Sequence, residues 1–349
     1  MTETLVKPPS AVDDRVGARS LGARLLSRPE IGSLVGAAVV LVFFLITAPT
    51  FRDLHASGTI VYQAALIGVM AVPVALLMIG GEFDLSAGVA VTTSGLTAAL
   101  FSYQFSTNVW VGILAGLLVS VAIGAFNGWL LMRTGLPSFL VTLGTFFILQ
   151  GLNLAVTRLL SGSVSSNSIS DMDGYGVAEK VFASQFTIGA VTVKILIVWW
   201  ILFVIVGTWV LLKTKIGNWI FAVGGDAAAA RAVGVPVKRV KIGLFMTVGF
   251  FAWFSGMHLL FTQSSVQSGE GVGKEFIYII AAVVGGALLT GGYGSAIGAA
   301  VGAFIFGMTT QGIVFAGFDP NWFYTFLGAM LLLAVLVNLY IKNYASTRR

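Results

Sequence analysis

The stretch KTKIGNWIFAVGGDAAAARAVGVPVKRVK, Lys213 to Lys241, is the longest polar interruption in the second half of a chain that otherwise alternates apolar runs with short loops. Lys213 and Lys215 open it, and Lys238, Arg239 and Lys241 close it. Its middle predicts a short capped helix. Asp226 takes the N-cap, where a carboxylate accepts from backbone N–H groups that have no partner inside the helix. Ala227 to Ala230 have the highest helix propensity, Arg231 suits the negative end of the helix dipole, and Gly234 can adopt the left-handed C′ conformation. A capped helix on a basic loop between apolar runs offers a surface to a partner. The side of the membrane on which it lies fixes how every neighbouring run is threaded.

Outside this stretch the composition sets the class. Hydrophobic residues make up 57% of the 349, charged residues only 10%, and the mean hydropathy is +0.94. Soluble domains carry roughly a quarter charged residues, so the chain is an integral membrane protein. Cysteine is absent and the only histidines are His55 and His258, which excludes disulfides, thiolate catalysis and an ordinary zinc site. The net charge of +6 is spread over loops and tails rather than gathered in a patch. It is accounted for by cytoplasmic loops, with no nucleic-acid partner.

Residues 1–30 form a polar tail without a signal-peptide pattern, expected to be disordered and cytoplasmic. Apolar runs follow near 32–51, 59–80, 86–102, 109–132, 138–156, 190–212, 242–262, 276–290, 295–316 and 321–341, each judged against the roughly 20 residues that cross a bilayer. The expectation is an all-α polytopic membrane protein with about ten transmembrane helices over 31–341 and a second cytoplasmic tail at 342–349. The third and eighth runs are the weakest, so nine or eleven spans remain open. With both termini inside, fifteen Lys and Arg fall on the inner side and five on the outer, the bias of the positive-inside rule. That places 213–241 in the cytoplasm. The polar segment 157–189 then lies outside, either as a surface for an extracytoplasmic partner or as a mobile loop.

Glycines recur every four positions, at Gly294, Gly298 and Gly302, at Gly112 and Gly116, and at Gly124 and Gly128. Such spacing puts them on one helix face, where a neighbouring helix can approach closely. A faint repeat relates GILAGLLVSVAIGAFNGWLLMRTGLPSF (112–139) to GAAVGAFIFGMTTQGIVFAGFDPNWF (298–323). Each has a four-spaced glycine pair, an amide followed by glycine, and a Gly–x–Pro or Gly–x–x–Pro break. The two run in opposite directions in the ten-span topology, as in the inverted repeats of transporters.

Chemistry-bearing residues are few. The one acidic cluster among the runs is GGEFDLSAG (80–88). Gly80, Gly81, Glu82, Asp84 and Ser86 suggest a tight turn, with Asp84 or Ser86 capping the next helix. The turn is either structural or gating, or else Glu82 and Asp84 couple an ion in a secondary transporter. Neutral polar and aromatic residues within the runs, Asn127, Phe146, Gln150, Asn153, Trp253 and Gln311, are candidates for a path taken by a hydroxylated solute. Helix packing is the alternative for each. His258 is expected to be an interhelical polar residue. No P-loop, nucleophile elbow or metal-ligand cluster is present. The chain is therefore not expected to be an enzyme or to hold a cofactor or metal, and any ATP hydrolysis must belong to another polypeptide.

Four segments in order, GGEFDLSAG (80–88), GLPSFLVTLGTFFILQGL (135–152), GNWIFAVGGDAAAARAVGV (217–235) and AAVVGGALLTGGYGSAIGAAVGAFIFG (281–307), resemble the membrane permease subunits of ribose-type sugar ABC importers, in a wider group that includes branched-chain amino acid permeases. The resemblance spreads from about 30 to 341. It implies a multi-pass subunit of the bacterial inner membrane, paired with a second permease protomer, for a monosaccharide or polyol. It also implies a cytoplasmic ATPase subunit that uses ATP and Mg, and a periplasmic or lipid-anchored solute-binding protein. The helix after the sixth span becomes the coupling helix, carried onto Gly224, Gly225, Asp226, Ala229, Arg231 and Gly234. This chain has Val233 where many members have serine, which puts a polar contact there in doubt.

Overall fold

A computed structural model describes residues 29–105, 108–333 and 336. The two tails expected from the sequence lie outside them, apart from Pro29 and Glu30, which open the first helix. In chain order the elements are α1 (Pro29–Thr47), α2 (Leu54–Ile79), α3 (Ala87–Phe105), α4 (Val109–Thr134), α5 (Ser138–Ser161), α6 (Tyr175–Phe182), β1 (Gln185–Ile188), β2 (Val191–Lys194), α7 (Ile195–Lys213), α8 (Lys215–Gly225), α9 (Ala227–Ala232), α10 (Val237–Gln263), α11 (Lys274–Val284), α12 (Ala296–Phe315) and α13 (323–333).

Each of the ten apolar runs carries a helix. Among the described residues seven, α1, α2, α4, α5, α7, α10 and α12, are long and apolar enough to cross a membrane. The third and eighth runs differ from the rest. α3 is continuous over 19 residues but carries Thr92, Thr93, Ser94, Gly95 and Thr97, which lower its hydropathy. α11 stops after 11 residues, about 16 Å, at Gly285 and Gly286, the latter at φ 93°. Non-helical chain then continues to Ser295, so the eighth run is a half-helix rather than the continuous stretch 276–290.

The core centres on α2, which is 72% buried along its apolar window and packs against α12, α10, α11 and α7. A second layer is α10 with α4 and α3. The four-spaced glycines make these approaches. Gly112 and Gly116 lay α4 on α3 at Ala98 and Ser94, whereas Gly124 and Gly128 lay the same helix on α10 at Phe245 and Ile242. Gly298 and Gly302 lay α12 on Gly285 and Ala281. At each of these sites a methyl group would meet a neighbour's backbone, so the small residue sets the interhelical distance. Gly294 does not join them. It stands before α12 at φ 146°.

The segment 157–189 is structured. After α5 it pairs with residues near the end of α10, Ser166 N to Val266 O and Ile169 N to Ser264 O, both at 3.0 Å. It then forms α6 and the first strand of an antiparallel hairpin, with Gln185 opposite Lys194. That hairpin takes residues 191–194 from the front of the sixth apolar run. The two repeat segments share local geometry. α4 ends at Gly135 (φ 71°) before Pro137, and α12 is followed by Gly317 (φ 72°) before Pro320.

Candidate functional site

The basic stretch contains two helices, where its sequence predicts one. Thr214 caps α8, its Oγ1 accepting from Gly217 N at 3.2 Å. α8 buries Gly217, Ile220 and Val223. Its three glycines mask this helix from propensity, and burial of the apolar side restores it. α9 matches expectation. Asp226 Oδ1 accepts from Ala228 N at 2.8 Å and Ala229 N at 3.0 Å. Gly234 sits at φ 87°, and Gly234 N to Arg231 O and Val235 N to Ala230 O, both 3.0 Å, complete a Schellman motif. Asp226, Ala229, Arg231 and Gly234 are exposed, and so is Val233, at 80%.

Gly224 and Gly225 differ in role. A methyl group at Gly225 would meet nothing, but at Gly224 it would strike the Ile79 carbonyl and the Gly292 amide. Gly292 N itself donates to Ile79 O at 2.8 Å. Gly81 (φ 84°), Gly291 (φ 79°) and Gly292 (φ 72°) complete the cluster. Main chain from the end of α2, the end of α8 and the loop before α12 therefore meets with no side chain between.

The turn 80–86 is latched to three helices. Glu82 pairs with Lys241 in the second turn of α10. Asp84 Oδ1 accepts from Ser86 N at 2.8 Å and from Ser86 Oγ at 2.6 Å, so the aspartate rather than the serine closes the turn. Asn127 Nδ2 donates to Ser86 Oγ at 3.0 Å, and Thr145 Oγ1 donates to Asn127 Oδ1 at 2.7 Å. Phe83 N and Leu85 N donate to Ser138 Oγ and Thr142 Oγ1 at 3.1 and 3.0 Å. Farther along α5, Asn153 Nδ2 reaches Val89 O at 3.5 Å. The buried face of α5, Ser138, Thr142, Thr145, Asn153 and Thr157, is a polar seam at helical spacing, a signal the sequence carries but that amide counting overlooks.

Of the path candidates, Asn127 joins the turn in a buried network, at 0% exposure, whereas Asn153 bonds to the main chain of α3. Phe146 and Gln150 are half-buried on α5, and Gln311 on α12. Trp253 donates to Ile113 O at 2.9 Å and packs edge-on to Phe182. None of the six lines the cavity of about 360 Å³ found among α2, α10, α11 and α12. Its wall includes Tyr62, Gln63, His258, Thr262, Glu270 and Lys274, and His258 is the one that the sequence marked as an interhelical polar residue. His258 is interhelical as expected. Its Nδ1 lies 2.7 Å from Phe182 O, and because a carbonyl only accepts, Nδ1 carries the proton. Nε2 is then the acceptor, and the Tyr62 hydroxyl donates to it at 2.9 Å. Beside the cavity Gly88 at the start of α3 packs directly on Gly271, ahead of α11, and on Glu275 in its first turn.

Comparison with known proteins matches residues 56–335 to the family described as "Branched-chain amino acid transport system / permease component". The chain is 33% identical to the "Probable ABC transporter permease protein YphD" of Escherichia coli (strain K12), over 91% of each chain. It is 29% identical to the fructose import permease protein FrcC of Rhizobium meliloti, over 95% of this chain and 91% of that one. It is 28% identical to the ribose import permease protein RbsC of Escherichia coli (strain K12), over 88% and 93%. No solved structure matches. With its apolar helices, the chain is a multi-pass protein of the bacterial inner membrane, and it belongs to the family of branched-chain amino acid transport system permease components.

Proposed function

We propose that this chain is the transmembrane subunit of a binding-protein-dependent ABC importer that passes a monosaccharide or related polyol into the cytoplasm. The observation that carries the reading is the exposed, doubly capped α9, rooted through Gly224 in the main chain of α2 and the loop before α12. A separate cytoplasmic ATPase subunit, using ATP and Mg, seats α8–α9. Its movement reaches the spans through that root. An outer solute-binding protein delivers the solute, and a second copy of this chain completes the subunit pair in the lipid. Names among its relatives, import permeases for fructose, ribose and galactose and an arabinose permease, support a sugar. The ten-span topology with both termini inside is part of this reading.

Glu82 is paired with Lys241 and Asp84 with Ser86. Both carboxylates are thus engaged within the protein, which favours a structural turn over ion coupling. The deciding experiment is uptake of labelled sugars by vesicles holding the complete importer, with Asp226→Ala and Ala229→Trp in this chain. Normal insertion with loss of both uptake and ATPase stimulation is expected. Uptake that survives both substitutions, or that runs on an ion gradient without ATP, removes the reading.

A further inference from the structure

The elbow between α7 and α8 brings an apolar strip and two free cations together. Along α7, Val198, Leu202, Ile205, Trp209 and Leu212 fall at helical spacing and are exposed, the face this span turns to lipid. Ile216, in the first turn of α8, continues the strip. The helix breaks for a single residue, Thr214, whose Oγ1 donates to Val210 O at 2.6 Å and accepts from Gly217 N at 3.2 Å. Gly217 rests on the last carbonyls of α7, Val210 O and Leu211 O, where a methyl group would collide. Lys213 and Lys215, on either side of this fixed break, are exposed. No acidic residue occurs between Glu179 and Asp226, and the one ion pair among the described residues is Glu82–Lys241. Both ammonium groups are thus without a carboxylate, at the level where the lipid-facing strip ends.

From this juxtaposition we infer that the α7–α8 elbow binds an anionic phospholipid of the inner leaflet. Its phosphate is met by Lys213 and Lys215, and its acyl chain lies along Trp209, Leu212 and Ile216. The site rests on the topology of the permease reading, which puts 213–241 inside, and adds a ligand that transport does not consume. Charge decides the lipid class. A zwitterionic headgroup carries an ammonium for which this elbow offers no carboxylate, whereas an anionic one presents a phosphate that both lysines can meet. Depth decides against a soluble occupant. The lysines follow directly on the lipid-facing strip, and Ile216 beyond them is still apolar and exposed. At that height the lysine stem stays against hydrocarbon while its ammonium reaches the headgroups. Trp209, one helical turn before Lys213, suits the same boundary. The lipid then holds the start of α8, as the main chain around Gly224 holds its end.

The test is native mass spectrometry of the full-length permease in detergent, titrated with phosphatidylglycerol, phosphatidylcholine or inorganic phosphate. Phosphatidylglycerol is expected to bind in preference to phosphatidylcholine, and inorganic phosphate not to displace it. Lys213→Gln and Lys215→Gln each weaken it about fivefold, and the paired Lys213→Arg and Lys215→Arg keep it. Lys238→Gln, which removes an exposed charge from the start of α10, leaves it unchanged. Equal binding of the two lipids, equal binding in the glutamine variants, an equal loss in Lys238→Gln, or displacement by inorganic phosphate overturns the site. So does loss of ATPase-subunit binding in the glutamine variants with the lipid preference intact, which assigns the lysines to that partner. ATP-driven uptake by the whole importer keeps the two readings apart. Sugar uptake that persists while the lipid preference is absent leaves the permease function standing. If no sugar is taken up in any lipid, the sugar-permease reading falls and the lipid site stands on its own measurement.

Discussion

The amide of Gly292 donates to the carbonyl of Ile79 at 2.8 Å, with Gly224 wedged against both atoms. This contact joins the end of α2 to a loop more than two hundred residues away, and it leaves no room for a methyl group on Gly224 at the end of α8. Gly224→Ala is therefore expected to destabilise the protein by about 1–3 kcal/mol, since the obstacle is backbone and cannot rotate aside. Gly225→Ala, which meets open space, is expected to stay within about 0.5 kcal/mol. Thermal melting of the two purified variants checks the contrast, and equal melting would show that the junction is loose.

The Glu82–Lys241 pair predicts a non-additive pattern. Its side chains are 10% and 16% exposed, so breaking it from one side is expected to cost less than the about 3–5 kcal/mol of a fully buried pair but more than the about 0–1 kcal/mol of a surface one. Glu82→Gln and Lys241→Met should each lower the melting temperature more than the double substitution does, because the double leaves no unpaired charge. A double-mutant cycle measures this, and strict additivity would remove the pair from the account.

Asn127 separates packing from transport. Replacing it with alanine strips Ser86 of a donor and Thr145 of an acceptor, each worth about 1–3 kcal/mol when buried. The expected result is a lower melting temperature with an unchanged apparent KM for solute in the protein that survives. A raised KM at unchanged stability would return Asn127 to the solute path.

Threading can be tested directly because the chain has no cysteine. Val233→Cys and Ser170→Cys each place one thiol at an exposed position. An impermeant maleimide applied to intact cells is expected to label position 170 and to reach 233 only after lysis. Labelling in the reverse sense would invert the topology.

The parts legible in the sequence are those written locally. Asp226 and Gly234 specify both ends of α9 within nine positions, and the structure keeps both. Each apolar run carries a helix, seven of them long and apolar enough to cross a membrane among the described residues, because backbone groups in a bilayer must bond within their own segment. What escaped notice depends on partners distant in sequence. Hydropathy over 276–290 cannot show that Gly285 and Gly286 end α11, because the following residues are apolar enough to continue. Gly294 fits a four-residue spacing and yet lies outside the helix. The cavity wall draws on Tyr62, His258 and Glu270, which come together only when α2 and α10 pack. Asn127 looked like a path residue because an amide in an apolar run has the same appearance whether it faces solute or a buried serine.

Tyr62 and Ile79 sit on the same continuous helix, about 26 Å apart, one at the cavity and the other at the glycine junction. Viewed mechanically, α2 is a lever whose short end is gripped by main chain. Tilting it as one piece by about 5° about that grip would carry Tyr62 some 2 Å, enough to break a hydrogen bond held at about 2.9 Å. The Tyr62–His258 bond is then the point at which an angular change at α9 would be read out, with no rearrangement of the protein between.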